Sequence, residues 1–114
     1  QTTYPPNDWI NIYTHGSLTD HEEGAGAGGT CQFFSFYKRV GKHTTNFDGE
    51  IDAIYTSLQN LFSWIHHCKN IVILSDSKAA IQAIASTNHP KMEKIKEIHS
   101  MIKQIQNLNI HIIL

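Results

Sequence analysis

Apolar positions change their period along this chain. Up to Tyr37 they come in short β-branched and aromatic runs; from Phe47 onward they mostly recur at spacings of three and four. Trp9 to Thr14 reads as a strand that stops abruptly at Gly16, where a chain can turn with positive φ at no steric cost. Leu18 to Gly29 is polar and then glycine-rich, which predicts a flexible hairpin approach with close backbone packing. Thr30 to Tyr37 is strand-like, and Lys38 to Thr45 continues through a turn at Gly41 into a third strand. Phe47 to His66 is the clearest helix, with Ile51, Ile54, Tyr55, Leu58, Leu61, Phe62 and Ile65 on one stripe and Asp48 as its N-cap. Asn70 to Ser75 is a continuous apolar run, as expected of a strand buried on both faces. Ser77 caps a short helix, Lys78 to Ala85. Asn88-His89-Pro90 breaks the chain, with Pro90 suited to the first helical position of an amphipathic helix, Lys91 to Leu108, whose stripe is Ile95, Ile98, Ile102 and Ile105. Asn109 opens a final strand.

The element order is β-β-β-α-β-α-α-β. Short early connections predict antiparallel strands, and later helical crossovers predict strands parallel to the first. The expected fold is α/β: a mixed five-stranded sheet flanked by helices, spanning residues 9–114 behind an extended lead-in over residues 1–8, where Pro5-Pro6 blocks a helix.

Composition narrows the class. The 114 residues suffice for one core, and 40% hydrophobic with 17% charged residues suits a globular domain. A net charge of −1 means that any nucleic-acid contact is a local patch, not a basic surface. Cys31 and Cys68 have neither disulfide-scaffold nor zinc spacing and read as reduced, idle thiols. With no signal peptide and no apolar run near the ~18 residues of a membrane span, an intracellular protein without a membrane partner is expected. The chain starts at Gln1 and ends inside the strand-like Ile110-His111-Ile112-Ile113-Leu114, which reads as a segment of a longer polypeptide.

Three positions carry candidate chemistry. His15 stands where the first strand ends, Glu50 at the start of the long helix, and Asp76 just after the apolar strand. At ~100° per residue, Glu50 falls beside Ile54 at the edge of the apolar stripe, so its carboxylate can point along the sheet instead of into water. Carboxylates gathered at strand ends suit a hard divalent cation; taken alone, both acids also fit helix capping. Gly24, Gly26 and Gly29 match Gly-x-Gly-x-x-Gly, but they precede a strand instead of following one, which argues against an NAD or ATP site. His66-His67-Cys68 sits at a helix C-terminus, where histidine is favoured by the dipole. His111 lies on the last strand and is a further candidate for the site. Lys91, Lys94 and Lys96 interleave with Glu93 and Glu97 as a solvated helix face.

The words around these residues resemble a known family. Ile12-Tyr13-Thr14-His15-Gly16-Ser17 resembles the first-strand motif of ribonuclease H domains, I-Y-T-D-G-S. Thr45 to Ile54 resembles the second motif, in which a Glu opens the first helix, and Ile73 to Ile84 is very close to the third, S-D-S-x-A-A-I-x-A, in the form found in non-LTR retrotransposons. Three motifs in order, over Trp9 to Leu114, are far more specific than any one alone.

The resemblance implies a ribonuclease H-like fold and an endonuclease that cuts the RNA strand of RNA–DNA hybrids with two Mg²⁺ or Mn²⁺ ions, within a larger polypeptide such as a reverse transcriptase polyprotein. It implies Glu50 and Asp76 as metal ligands, and Gly16, Ser17, Ser77 and Gln82 as residues near the hybrid. Two departures stand out. The family's first Asp is His15 here, and imidazole cannot bridge two ions as a carboxylate does; a change of metal to Mn²⁺ or Zn²⁺ is the competing expectation. The family's last motif is expected beyond Leu114, which would make this a C-terminally truncated domain. A catalytically impaired binding or structural remnant is therefore the alternative expectation.

Overall fold

A computed structural model describes residues 9–18, 24–42, 44–86 and 92–114. The lead-in over residues 1–8, the break at Asn88-His89-Pro90 and Lys91 lie outside the described residues. Five strands form one sheet: β1 (Ile10–Leu18), β2 (Ala25–Thr30), β3 (Ser35–Gly41), β4 (Asn70–Ser75) and β5 (His111–Ile113), in the spatial order β3-β2-β1-β4-β5. β1–β2 and β2–β3 are antiparallel; β1–β4 and β4–β5 are parallel. Three helices complete the fold: α1 (Asn46–Leu61), continued by a 3₁₀ turn over Phe62–His67, α2 (Lys78–Ala85) and α3 (Glu93–Asn107). This is the expected mixed sheet and element order. No described helix is long and apolar enough to cross a membrane.

The core follows the apolar stripes. Ile10 and Ile12 of β1, Ile71 and Ile73 of β4, and Ile112 of β5 face Ile51, Ile54, Leu58 and Leu61 of α1, and Ile95, Ile98 and Ile105 of α3. Ala80 and Ile84 of α2 join the same cluster. Buried side chains of this size each contribute on the order of 1.5–3 kcal/mol. α1 also lies tightly on β2, because Ala25, Ala27 and Gly29 face it with methyl groups or nothing. A Cβ on Gly29 would stand 2.6 Å from Ser57 Oγ, and one on Gly49 would stand 2.5 Å from the Gly26 carbonyl oxygen.

Local readings needed correction in three places. β1 does not stop at Gly16; it runs through to Leu18, and Gly16 keeps an ordinary φ. The glycine-rich stretch is a paired central strand, so the strand expected over Thr30 to Tyr37 straddles the turn between β2 and β3. Glycine has little intrinsic strand preference, and here pairing on both edges decides the conformation. Third, Thr45 caps α1: its hydroxyl accepts the Asp48 N–H, and the Asp48 carboxylate accepts the Thr45 N–H, a reciprocal capping box.

Candidate active site

The site is built where β1, β4 and α1 meet. Parallel pairing sets Thr14 beside Ser75, so β1 carries on past the point where β4 ends and the chain bends at Asp76. The capping box fixes the start of α1 one turn before Glu50, and Gly16 lets that turn approach. A Cβ on residue 16 would stand 2.7 Å from the Glu50 backbone nitrogen and 3.0 Å from Glu50 Cγ. Glycine is required here for close packing, not for a turn.

Glu50 is 5% exposed. Its carboxylate accepts the Gly16 N–H and the Ser75 hydroxyl, the latter at 3.4 Å through Oε2. Burial pushes its pKa above the ordinary glutamate value, and the negative charge of Asp76 pushes it the same way; the two hydrogen bonds and the charge of His15 oppose this without cancelling it. A buried carboxyl crowded by a second carboxylate is an electrostatic arrangement that a cation relieves. Ser75 also accepts the Ser77 N–H at 3.0 Å, and Ser77 Oγ caps α2 by accepting the Ala80 N–H at 3.1 Å. The bend that presents Asp76 is thus pinned on both sides.

The sequence-derived residues divide into two groups. His15, Glu50 and Asp76 come near enough for each charge to act on Glu50. Yet among the described residues no three His, Cys, Asp or Glu side chains close into a metal-ligating group. The direction taken by His15 accounts for this in part. Its exposed ring leans across β2 onto Gly28, where a Cβ would stand 2.4 Å from Nε2, and so away from β4 and Asp76. Gly16 and Ser17 continue the same strand, and Gln82 is exposed on α2. His111 is elsewhere: it pairs with Asn70 at the opposite end of β4, its ring 5.3 Å from Trp9. The His67 ring packs against Phe33 and Trp64, centroids 6.0 and 6.2 Å apart, which gives that histidine a structural place.

One charged cluster had no sequence signal. Asp52, 1% exposed on α1, receives Lys94 Nζ of α3 at 2.7 Å, Lys38 Nζ of β3 at 2.9 Å and Thr56 Oγ1 at 2.8 Å. Burial opposes its ionisation, but the bonds from Lys94, Lys38 and Thr56 outweigh burial and hold the carboxyl below the ordinary aspartate value. Thr56 is its i+4 neighbour on α1, but the two lysines come from β3 and α3, so no spacing rule could connect them to Asp52; it anchors α1 on the side away from Glu50.

This is a mixed α/β domain with a carboxylate pair at the end of its central strands. A family profile described as RNase H matches residues 7–114, so the chain belongs to the ribonuclease H family. Similar solved structures include a ribonuclease H1 isolated from compost by a metagenomic approach, at 20% identity and TM-score 0.66 over 93% of this chain and 83% of that one. Another is ribonuclease H1 of the archaeon Halobacterium salinarum, at 13% identity and TM-score 0.65 over 91% and 80%. A third is the N-terminal ribonuclease H domain of a Mycobacterium tuberculosis protein, at 15% identity and TM-score 0.66 over 91% and 82%. The compost enzyme has also been solved in complex with an RNA/DNA hybrid, and that structure matches at 20% identity and TM-score 0.66 over 91% and 83%. No curated protein matches the sequence.

Proposed function

We propose that this domain binds RNA–DNA hybrids and hydrolyses their RNA strand as an endonuclease, in a site made by Glu50 and Asp76. The observation that carries this reading is the meeting of the buried Glu50 with Asp76 at the ends of β1 and β4. The hybrid held by the compost enzyme of the same fold supports the substrate. Two carboxylates and nearby hydroxyls are hard oxygen donors and fit one Mg²⁺ or Mn²⁺. When bound, such an ion would neutralise charge at the scissile phosphate and acidify a water. The chain's own part is positional. Gly16 and Ser75 orient the Glu50 carboxylate, and Ser77 fixes the bend that presents Asp76. By resemblance to the family, the Gly16-Ser17 backbone, Ser77 and Gln82 would lie near the hybrid, and the RNA strand would be told from DNA by its 2′-hydroxyls.

The residues do not fit the family's two-ion arrangement equally well. His15 offers an imidazole nitrogen in place of a bridging carboxylate, and its ring leans away from Asp76. That loss is expected to cost about 4 kcal/mol of transition-state stabilisation, roughly a thousandfold in rate. The same observation favours a second reading, a hybrid-binding remnant with little catalysis, as a decayed retrotransposon copy within a reverse transcriptase polyprotein would be. Calorimetric titration with Mn²⁺ and Mg²⁺ tests the site: Asp76→Asn is expected to abolish the binding heat while the circular dichroism spectrum stays unchanged. Identical titrations for wild type and Asp76→Asn would overturn the assignment.

A further inference from the structure

Cys31 and Cys68 are the chain's two cysteines, both free thiols, and the candidate active site uses neither. Far apart in sequence, they stand at the two ends of one contact in the fold. Cys31 opens the turn between β2 and β3. Its N–H donates to the Phe34 carbonyl at 2.9 Å, and its sulfur accepts the Phe33 N–H at 3.4 Å. Cys68 follows the 3₁₀ turn that continues α1, and its thiol donates to the Trp64 carbonyl at 3.3 Å. Between them the Phe33 ring lies nearly parallel to the Trp64 indole, centroids 5.0 Å apart and planes 6° apart. Each sulfur is thus hydrogen-bonded to one member of the same ring pair. Cys68 belongs to the apolar core, Cys31 and Phe33 pack against that core, and a charge on Cys31 is near enough to act on Cys68.

We propose that this pair is a redox clasp: exchange with a small-molecule disulfide joins Cys31 to Cys68 and fastens the β2–β3 turn to the end of α1. Three observations carry it. The ring stack already holds the two segments together, so a bond between their sulfurs closes within a preformed contact. Both cysteines lie outside helix and strand, so the sulfurs can come to the roughly 2.0 Å of a disulfide without breaking a ladder hydrogen bond. Their surroundings also differ in the way that two-step exchange needs. Cys31 is half-buried and open to a small molecule, whereas Cys68 is 6% exposed, screened from it, and kept protonated by burial. The Cys31 thiolate therefore attacks first; the small disulfide's S–S bond breaks and one small thiolate leaves. Cys68 then attacks the Cys31 sulfur of the mixed disulfide, and its proton passes to the second small thiolate as that departs. Two cysteine thiols are oxidised to one disulfide while one small disulfide is reduced to two thiols. The loop so closed contains β3 and α1, so the bond restricts the unfolded chain and stabilises the fold. It lies toward the end of the sheet where β1 and β4 begin, with Glu50 and Asp76 at the other end, so stability is its readout.

The test equilibrates the reduced chain with oxidised glutathione, quenches it in acid, and reads intact mass and non-reducing peptide maps. The expected product is a monomer with no free thiol, no bound glutathione and a Cys31–Cys68 linked peptide. Its unfolding temperature is expected to rise by about 5–15 °C and to fall back on adding dithiothreitol. Cys68→Ala is expected to stop at a glutathione mixed disulfide on Cys31, and Cys31→Ser to leave Cys68 unreacted. A wild-type chain that keeps glutathione on Cys31 with Cys68 free, that joins to a second chain, or that retains two thiols would overturn the clasp. A linked pair with no rise in unfolding temperature would overturn its stabilising role, and glutathione on Cys68 in Cys31→Ser would overturn the order of attack. The wild-type mass decides the clasp even where a variant fails to fold.

Discussion

Gly16 and Glu50 are in direct backbone apposition: the Cα of one stands where a side chain would collide with the amide nitrogen of the other, 2.7 Å from the position of a Cβ. The first turn of α1 is therefore set down on β1 at the place where the strand passes the candidate site. Gly16→Ala is expected to destabilise the fold by about 1–3 kcal/mol, because the contact is with backbone that cannot rotate away. Urea denaturation measures it, and a change below about 0.5 kcal/mol would mean that α1 is free to shift.

Asp52 holds two lysines from two elements. Asp52→Ala is expected to cost about 2–3 kcal/mol, less than the ~3–5 kcal/mol of a fully buried pair, because the ammonium ends of Lys38 and Lys94 reach water. Equilibrium unfolding checks this. Lys38→Met and Lys94→Met, made singly, are each expected to cost less than Asp52→Ala.

Cys68 is buried, and burial together with the nearby Cys31 charge pushes its thiol up to about 11. The sign follows from the neutral form being the one the fold favours. This contribution is complete below the ordinary thiol value near 9.0 and is lost as pH rises toward about 11. Unfolding free energy measured from pH 8 to pH 10.5 is expected to fall less steeply in Cys68→Ala than in wild type. Parallel curves would contradict the burial of a neutral thiol.

The Ser57 hydroxyl is buried at 0% exposure and has no hydrogen-bond partner among the described residues. Ser57→Ala is expected to be neutral or to stabilise by up to about 1 kcal/mol, since it removes an unpaired polar group without opening a cavity of consequence. A thermal scan decides it, and a clear loss of stability would show that the hydroxyl has a partner.

How far the sequence reached depended on the range of the forces involved. α1, α3 and β4 were legible because their own apolar periods specify them, and Glu50 was legible because it breaks such a period at a helix start. The directions of the strands followed from connection lengths. β2 was not legible as a strand: alanine and glycine carry no strand signal, and α1 overhead with β1 and β3 alongside impose the conformation. Gly16 signals a turn in the sequence but serves close approach in the fold, since both needs are written with the same letter. Asp52 takes both of its lysines from other elements, and its sequence neighbours say nothing of them.

The most direct measurement is cleavage of a labelled RNA–DNA hybrid in Mn²⁺ by this chain and by its His15→Asp variant. RNA-strand cutting by His15→Asp is expected at roughly a thousandfold the rate of the unaltered chain, with loss of cutting when Glu50→Gln or Asp76→Asn is added. Folded proteins that leave the hybrid intact with either residue at position 15 would contradict a hydrolytic site at Glu50 and Asp76.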